Sequence, residues 1–222
     1  MAYTTRMPAA RFQTTNWSLI FAADGSPDAL NDLCALYWPP VYAYVRRCGV
    51  DRADAEDLTQ AFFGRMLEHR DFAQVDPRRG KFRSFLLAAL KHFMSNERDR
   101  VQAKKRGGGV VHVEIDLTTA DQALPPDQLF DKQWALVVVD RALHALREAG
   151  EPEHLMPFLS GEESYASLAV ERGTSEGALR VAVHRLRRRF RDHLRRIVAE
   201  TVEPEDVDDE IRFLIGAVSR RS

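Results

Sequence analysis

The sequence predicts an all-α fold of two small helical domains joined by a flexible linker, the second containing a helix-turn-helix. Three observations carry this expectation. Apolar residues recur at helical spacing in segment after segment, as in Leu179, Val183, Leu186, Phe190, Leu194 and Ile197, which share one face. Gly107-Gly108-Gly109 opens a stretch punctuated by Pro125-Pro126, which parts the chain into two helical halves. Gly173 lies between Ser164 and Ser175, two serines placed to cap a short helix and a longer one. With 222 residues and 45% hydrophobic content, each half can bury a core. The expected division is a mobile N-terminal arm at 1–13, a first domain at 14–106, a linker at 107–127, a second domain at 128–202 and an acidic C-terminal tail helix at 203–222.

Taken in order, Trp17, Ile20 and Phe21 begin a helical pattern that Gly25-Ser26-Pro27 breaks. Leu33, Leu36, Tyr37, Val41, Tyr44 and Val45 continue it, with Pro39-Pro40 expected to kink or interrupt the helix and Gly49 to end the hairpin. Residues 51–69 form the next helix, with Ala55, Leu58, Phe62 and Met66 inward and Glu56, Asp57 and Gln60 outward. A loop at 70–81 holds Asp76-Pro77 and Gly80, and Phe82, Phe85, Leu86, Ala89, Leu90 and Phe93 then stripe a helix to about Lys105. Val111, Val113 and Ile115 alternate with polar residues as a short extended segment of the linker. Phe130, Trp134, Val137, Val138, Ala142 and Leu146 mark the helix at 129–149, and a shorter helix at 154–159 leads to Ser164. After Pro204, the residues Val207, Ile211, Leu214, Ile215 and Val218 are expected to pack across the second domain, with an autoinhibitory or partner-binding role as the alternative.

The net charge of -1 conceals a strongly uneven distribution. From Arg78 to Arg106 the cations Arg78, Arg79, Lys81, Arg83, Lys91, Arg98, Arg100, Lys104, Lys105 and Arg106 face only Glu97 and Asp99. The helix after Ser175 presents Val181, His184, Arg188, Arg191 and Arg195 opposite its apolar stripe, flanked by Arg180, Arg185 and Arg187. Such a face suits the DNA major groove, where arginine forks onto guanine and neighbouring cations neutralise phosphates. Aromatic residues among cations at 82–98 suit unpaired bases, which stack on rings while the backbone is held by charge. The balancing acid lies at 51–57 and 203–210, and this separation of charge implies different partners for each patch.

Cys34 and Cys48 lack metal-site spacing and cannot build a disulfide framework. His112 and Glu114 lack further ligands, so no metal or other cofactor is expected. No segment approaches about eighteen uninterrupted apolar residues, and the N-terminus has no apolar signal-peptide core, so a cytoplasmic protein without membrane insertion is expected.

Asp54-Ala55-Glu56-Asp57-Leu58-Thr59-Gln60 resembles the Asp-Ala-Glu-Asp-Leu-x-Gln segment of the extracytoplasmic-function (ECF) group of the sigma-70 family. Phe82-Arg83-Ser84-Phe85-Leu86 is similar to that group's Phe-Arg-x-Trp-Leu helix opening, with Phe85 in place of tryptophan and His92 where asparagine is common. Ser164-Tyr165-Ala166-Ser167-Leu168-Ala169, Ser175-Glu176-Gly177-Ala178-Leu179-Arg180 and His184-Arg185-Leu186-Arg187-Arg188-Arg189 resemble its −35-reading unit. The resemblance spans roughly residues 16–202, with no central third domain. It implies a sigma factor that binds core RNA polymerase (clamp helices and flap) and directs promoter recognition and melting. Asp54, Glu56, Asp57 and Gln60 would meet the clamp helices. Asp76, Arg78, Arg79, Lys81, Phe82, Arg83, Phe85, Lys91, His92 and Arg98 would serve the −10 element. Ser175, Arg180, Val181, His184, Arg185, Arg187, Arg188 and Arg191 would serve the −35 element, the early helix reading bases and Arg187, Arg188 and Arg191 holding phosphates. The linker would thread toward the RNA exit path, and an anti-sigma protein is common in the group.

Two other classes compete. A stand-alone helix-turn-helix repressor or activator would leave Asp54 to Gln60 unexplained. A serine recombinase would need a catalytic sheet domain before Ser84, and none is expected, so the chain reads as no enzyme. Phosphorylation of Thr59, inside the acidic segment, would add like charge to that face.

Overall fold

The computed structural model describes residues 27–68, 81–106, 124–160 and 164–219, and the regular structure there is helical throughout. The order is α1 (Pro27–Arg47), α2 (Arg52–Glu68), α3 (Phe82–Arg106), α4 (Pro126–Glu148), a 3₁₀ segment (Glu153–Leu159), α5 (Tyr165–Arg172), α6 (Glu176–Ala199), a 3₁₀ turn (Pro204–Asp206) and α7 (Val207–Ser219). The all-α expectation holds. The N-terminal arm at 1–13, the helical pattern of Trp17, Ile20 and Phe21, the loop residues Asp76, Arg78 and Arg79, and the segment with His112 and Glu114 lie outside the described residues.

Local chemistry explains most boundaries. Gly49, at φ 84°, takes the left-handed conformation that ends α1. The Asp51 carboxylate then accepts from the Asp54 amide at 2.9 Å and caps α2. Pro126 opens α4, three residues before the expected start at 129, because a proline at the first helical turn costs no hydrogen bond. The Pro39-Pro40 pair departs from expectation, since α1 runs through both without interruption. Tyr37, Pro40, Val41 and Val45 are all buried around the pair, and their packing offsets the roughly 3 kcal/mol that an internal proline costs.

One apolar core spans both halves of the chain. It joins Leu33, Tyr37 and Val41 of α1, Phe62 and Met66 of α2, and Phe82, Leu86 and Leu90 of α3 to Phe130, Trp134 and Val138 of α4. Tyr37 and Trp134 stack across the join, with ring centroids 4.6 Å apart and planes inclined by 10°. A second core gathers Leu146, Leu155, Phe158, Ala169, Leu179, Val183 and Leu186. The change from one core to the other thus falls inside α4, after Val138 and before Leu146, rather than at the linker.

Helix α7 also goes further than expected. It packs on α4 and α6, but Val207, Leu214 and Ala217 enter the core that contains Phe82, while Ile215 and Val218 remain exposed. Among the described residues no helix is long and apolar enough to cross a membrane.

Candidate nucleic-acid interface

The acidic face is formed as its sequence implied. Asp54, Glu56, Asp57 and Gln60 are all exposed on α2, while Ala55, Phe62 and Met66 anchor the opposite side. Leu58 is only half-buried, and Thr59 and Phe63 complete the inner face instead. Glu56, Asp57 and Gln60 line a shallow groove of about 650 Å³ together with Arg52, Trp38 and Tyr42. Trp38 and Tyr42 were not among the sequence-derived candidates. Their signal was spacing: four residues apart on α1, they lie off the buried Leu33, Tyr37 and Val41 stripe, and Trp38 is 36% exposed while stacked on Phe63. Thr59 corrects an expectation. Its side chain is fully buried and its hydroxyl donates to the Ala55 carbonyl at 2.7 Å, so it offers no accessible site for phosphorylation.

The predicted −10 residues separate into three groups. Phe82 is wholly buried against Tyr37, with ring centroids 5.0 Å apart, and Phe85 is half-buried beside it; in this arrangement Phe82 cannot stack on a base. Lys81, Arg83 and Lys91 are engaged by carboxylates from the other half of the chain. Arg83 donates through Nε to Glu210 Oε1 at 2.6 Å, through Nη2 to Glu210 Oε2 at 3.3 Å and through Nη1 to Asp131 at 2.7 Å, and its guanidinium lies over the Phe213 ring. Lys81 reaches Glu210 at 2.6 Å, and Lys91 pairs with Asp127. His92 and Arg98 are exposed, with Arg98 in a groove that also holds Arg46, Arg47 and Arg52.

Helices α5 and α6 form the helix, turn and helix expected. Ser164 Oγ accepts from the Ser167 amide at 3.5 Å, Gly173 turns the chain at φ 61°, and Ser175 Oγ accepts from the Ala178 amide at 3.2 Å. Ser175 therefore serves the helix start. Arg180, Val181, His184, Arg185, Arg188 and Arg191 are exposed, whereas Leu179, Val183 and Leu186 are buried and Phe190, Leu194 and Ile197 partly so. Arg180 is held above the Tyr165 ring and pairs with Glu176 at 3.4 Å, an exposed arrangement that DNA can displace at little cost. Arg187 is exposed as well, and its Nη2 donates to the Phe158 carbonyl at 2.7 Å, tying α6 to the preceding 3₁₀ segment.

Among the described residues no group of three or more His, Cys, Asp or Glu side chains could hold a metal. Cys34 and Cys48 are free thiols, and burial pushes Cys34 up to about 11, away from reactivity.

No curated protein and no solved structure matches the chain. Residues 33–104 do match the family model of sigma-70 region 2, a stretch that covers the acidic face of α2 and nearly all of the aromatic and basic helix α3.

Proposed function

We propose that this chain is a sigma factor of the ECF type, which binds core RNA polymerase and directs promoter recognition and strand opening in the cytoplasm. The observation that carries the reading is the region 2 match over residues 33–104, a segment that holds both the acidic face of α2 and the basic helix α3. Asp54, Glu56, Asp57 and Gln60 would dock on the basic clamp of the polymerase, where complementary charge sets encounter rate and register. Trp38 and Tyr42 would give the same groove an apolar floor. The domain at 14–106 would take unpaired bases of the −10 element, at an unstacking cost of a few kcal/mol that ring stacking and phosphate contacts offset. The domain at 128–202 would place α6 in the −35 major groove, with Arg180, Val181, His184 and Arg185 toward base edges and Arg188 and Arg191 toward phosphates. No bond chemistry is assigned to this chain.

The test is co-purification with core polymerase. The wild-type chain should be retained, and Asp57→Lys, which reverses charge at an exposed position, should abolish retention while leaving the folded chain intact by circular dichroism. Retention of the variant at wild-type levels would remove the assignment of this face. A chain that binds DNA sequence-specifically yet never binds polymerase would be a stand-alone regulator instead.

A further inference from the structure

Glu210 is a charged residue in an apolar place. On α7 the buried positions are Val207, Glu210, Leu214 and Ala217, a single stripe in which the second position carries a carboxylate that is 1% exposed. Stability alone does not call for it. Replacing a buried ion pair by well-packed apolar groups is commonly neutral or stabilising, so an apolar residue would have served this position in the core as well. The partners it selects are informative. Both carboxylate oxygens meet the fork of Arg83, and one of them also meets Lys81. That two-pronged geometry is the one by which arginine holds a phosphate. Asp131 takes the remaining nitrogen of the same fork, and Asp127 takes Lys91 farther along α3. At the other end of the contact, Asp208 of α7 pairs with Arg195 of α6, so α7 links the two basic helices.

We infer that α7 is an internal competitor for DNA: Glu210, helped by Asp131 and Asp127, occupies Lys81, just before α3, and Arg83 and Lys91 of α3, and the phosphodiester backbone must displace it. The inference rests on the reading of α3 as a DNA-facing helix. In the free chain the acidic tail closes the strand-binding surface and holds α6 beside it. When DNA supplies phosphates to Lys81 and Arg83, Glu210 loses its counter-charges and becomes costly to bury, so α7 leaves the core. Binding and opening are therefore one exchange of anions on the same cations.

The test compares full-length proteins differing by one charge, with a fluorescein-labelled single-stranded oligonucleotide of random sequence as the probe. Glu210→Gln keeps the side-chain shape and an oxygen that can accept from Arg83, while Glu205→Gln removes one exposed acid from the same segment. The Glu210 variant should bind about tenfold more tightly, and its affinity should fall more steeply with salt, by a slope of about 1.4 for two cations freed toward a single strand. The Glu205 variant should match wild type within about twofold, as a distant exposed charge acts only through a screened field. Equal affinities and equal slopes for all three proteins overturn the competitor. Hydrogen exchange on the wild-type chain decides the matter even if the Glu210 variant does not fold. The amides of residues 207–219 should lose protection when the oligonucleotide is bound, and unchanged protection in a bound complex overturns the inference. Absence of DNA binding by every protein, with core polymerase present or not, instead overturns the reading of α3 on which it rests.

Discussion

The Arg83 guanidinium is where the charge pattern of the whole chain is resolved. It is only 11% exposed in its side chain, and both acids bound to it come from residues more than forty positions away. Burial pushes the Glu210 carboxyl up, but the bonds and charges of Arg83 and Lys81 outweigh it and leave the group below the usual carboxylate value. Around the carboxylate stand Lys81 and Arg83, with Asp131 on the far side of the guanidinium and the Tyr37 phenol of α1 within its field. A carboxyl depressed in the folded state stabilises folding fully above its ordinary value, and that contribution disappears as pH falls through the depressed one. Docking of α7 should therefore be constant from neutrality down to the ordinary carboxylate range and weaken progressively as pH falls from there through the depressed value. Hydrogen exchange of residues 207–219 against pH measures this, and protection that increased on acidification would contradict the pairing.

At the scale of elements, α6 divides its arginines between two tasks. Arg180 stands exposed near the helix start and Arg191 about three turns later, while Arg187, also exposed, spends one donor on the Phe158 carbonyl. Arg180→Ala should change the preference among promoter sequences, and Arg191→Ala should weaken all of them alike, by footprinting. Arg187→Ala should instead lower stability by about 1 kcal/mol in urea unfolding, because it leaves a carbonyl unpaired, with little change in sequence preference. The two helices α5 and α6 and the turn between them were legible because their signals are local: a serine cap, a left-handed glycine and a second serine cap act within a few residues. The commitment of Arg187 was not, since nothing in the spacing of α6 reports a carbonyl on another segment. The same limit explains Pro39 and Pro40, where a local rule predicts a break and burial of the surrounding side chains overrides it.

In the whole molecule, the two halves share a core, and this is the feature the sequence concealed most. Periodicity shows which face of a helix is apolar, but not which other helix will cover it. Trp134 and Tyr37 each read as inward residues of separate domains, yet they stack on one another. Likewise the acidic tail and the basic block of α3 looked like surfaces for different partners, and the structure pairs them. The acidic face of α2 was legible as an outward face because helical spacing alone sets it; Asp54, Glu56, Asp57 and Gln60 are all exposed. On the inference drawn above, the free form is closed and the working form open, the second reached when promoter DNA competes for the cations the first has engaged. The claim at the centre is that the working form starts transcription. Run-off transcription with core polymerase on a genomic DNA library measures it most directly. Addition of the wild-type chain should yield discrete transcripts from a shared promoter sequence, and Asp57→Lys should yield none. A library transcribed identically with and without the chain would contradict the account.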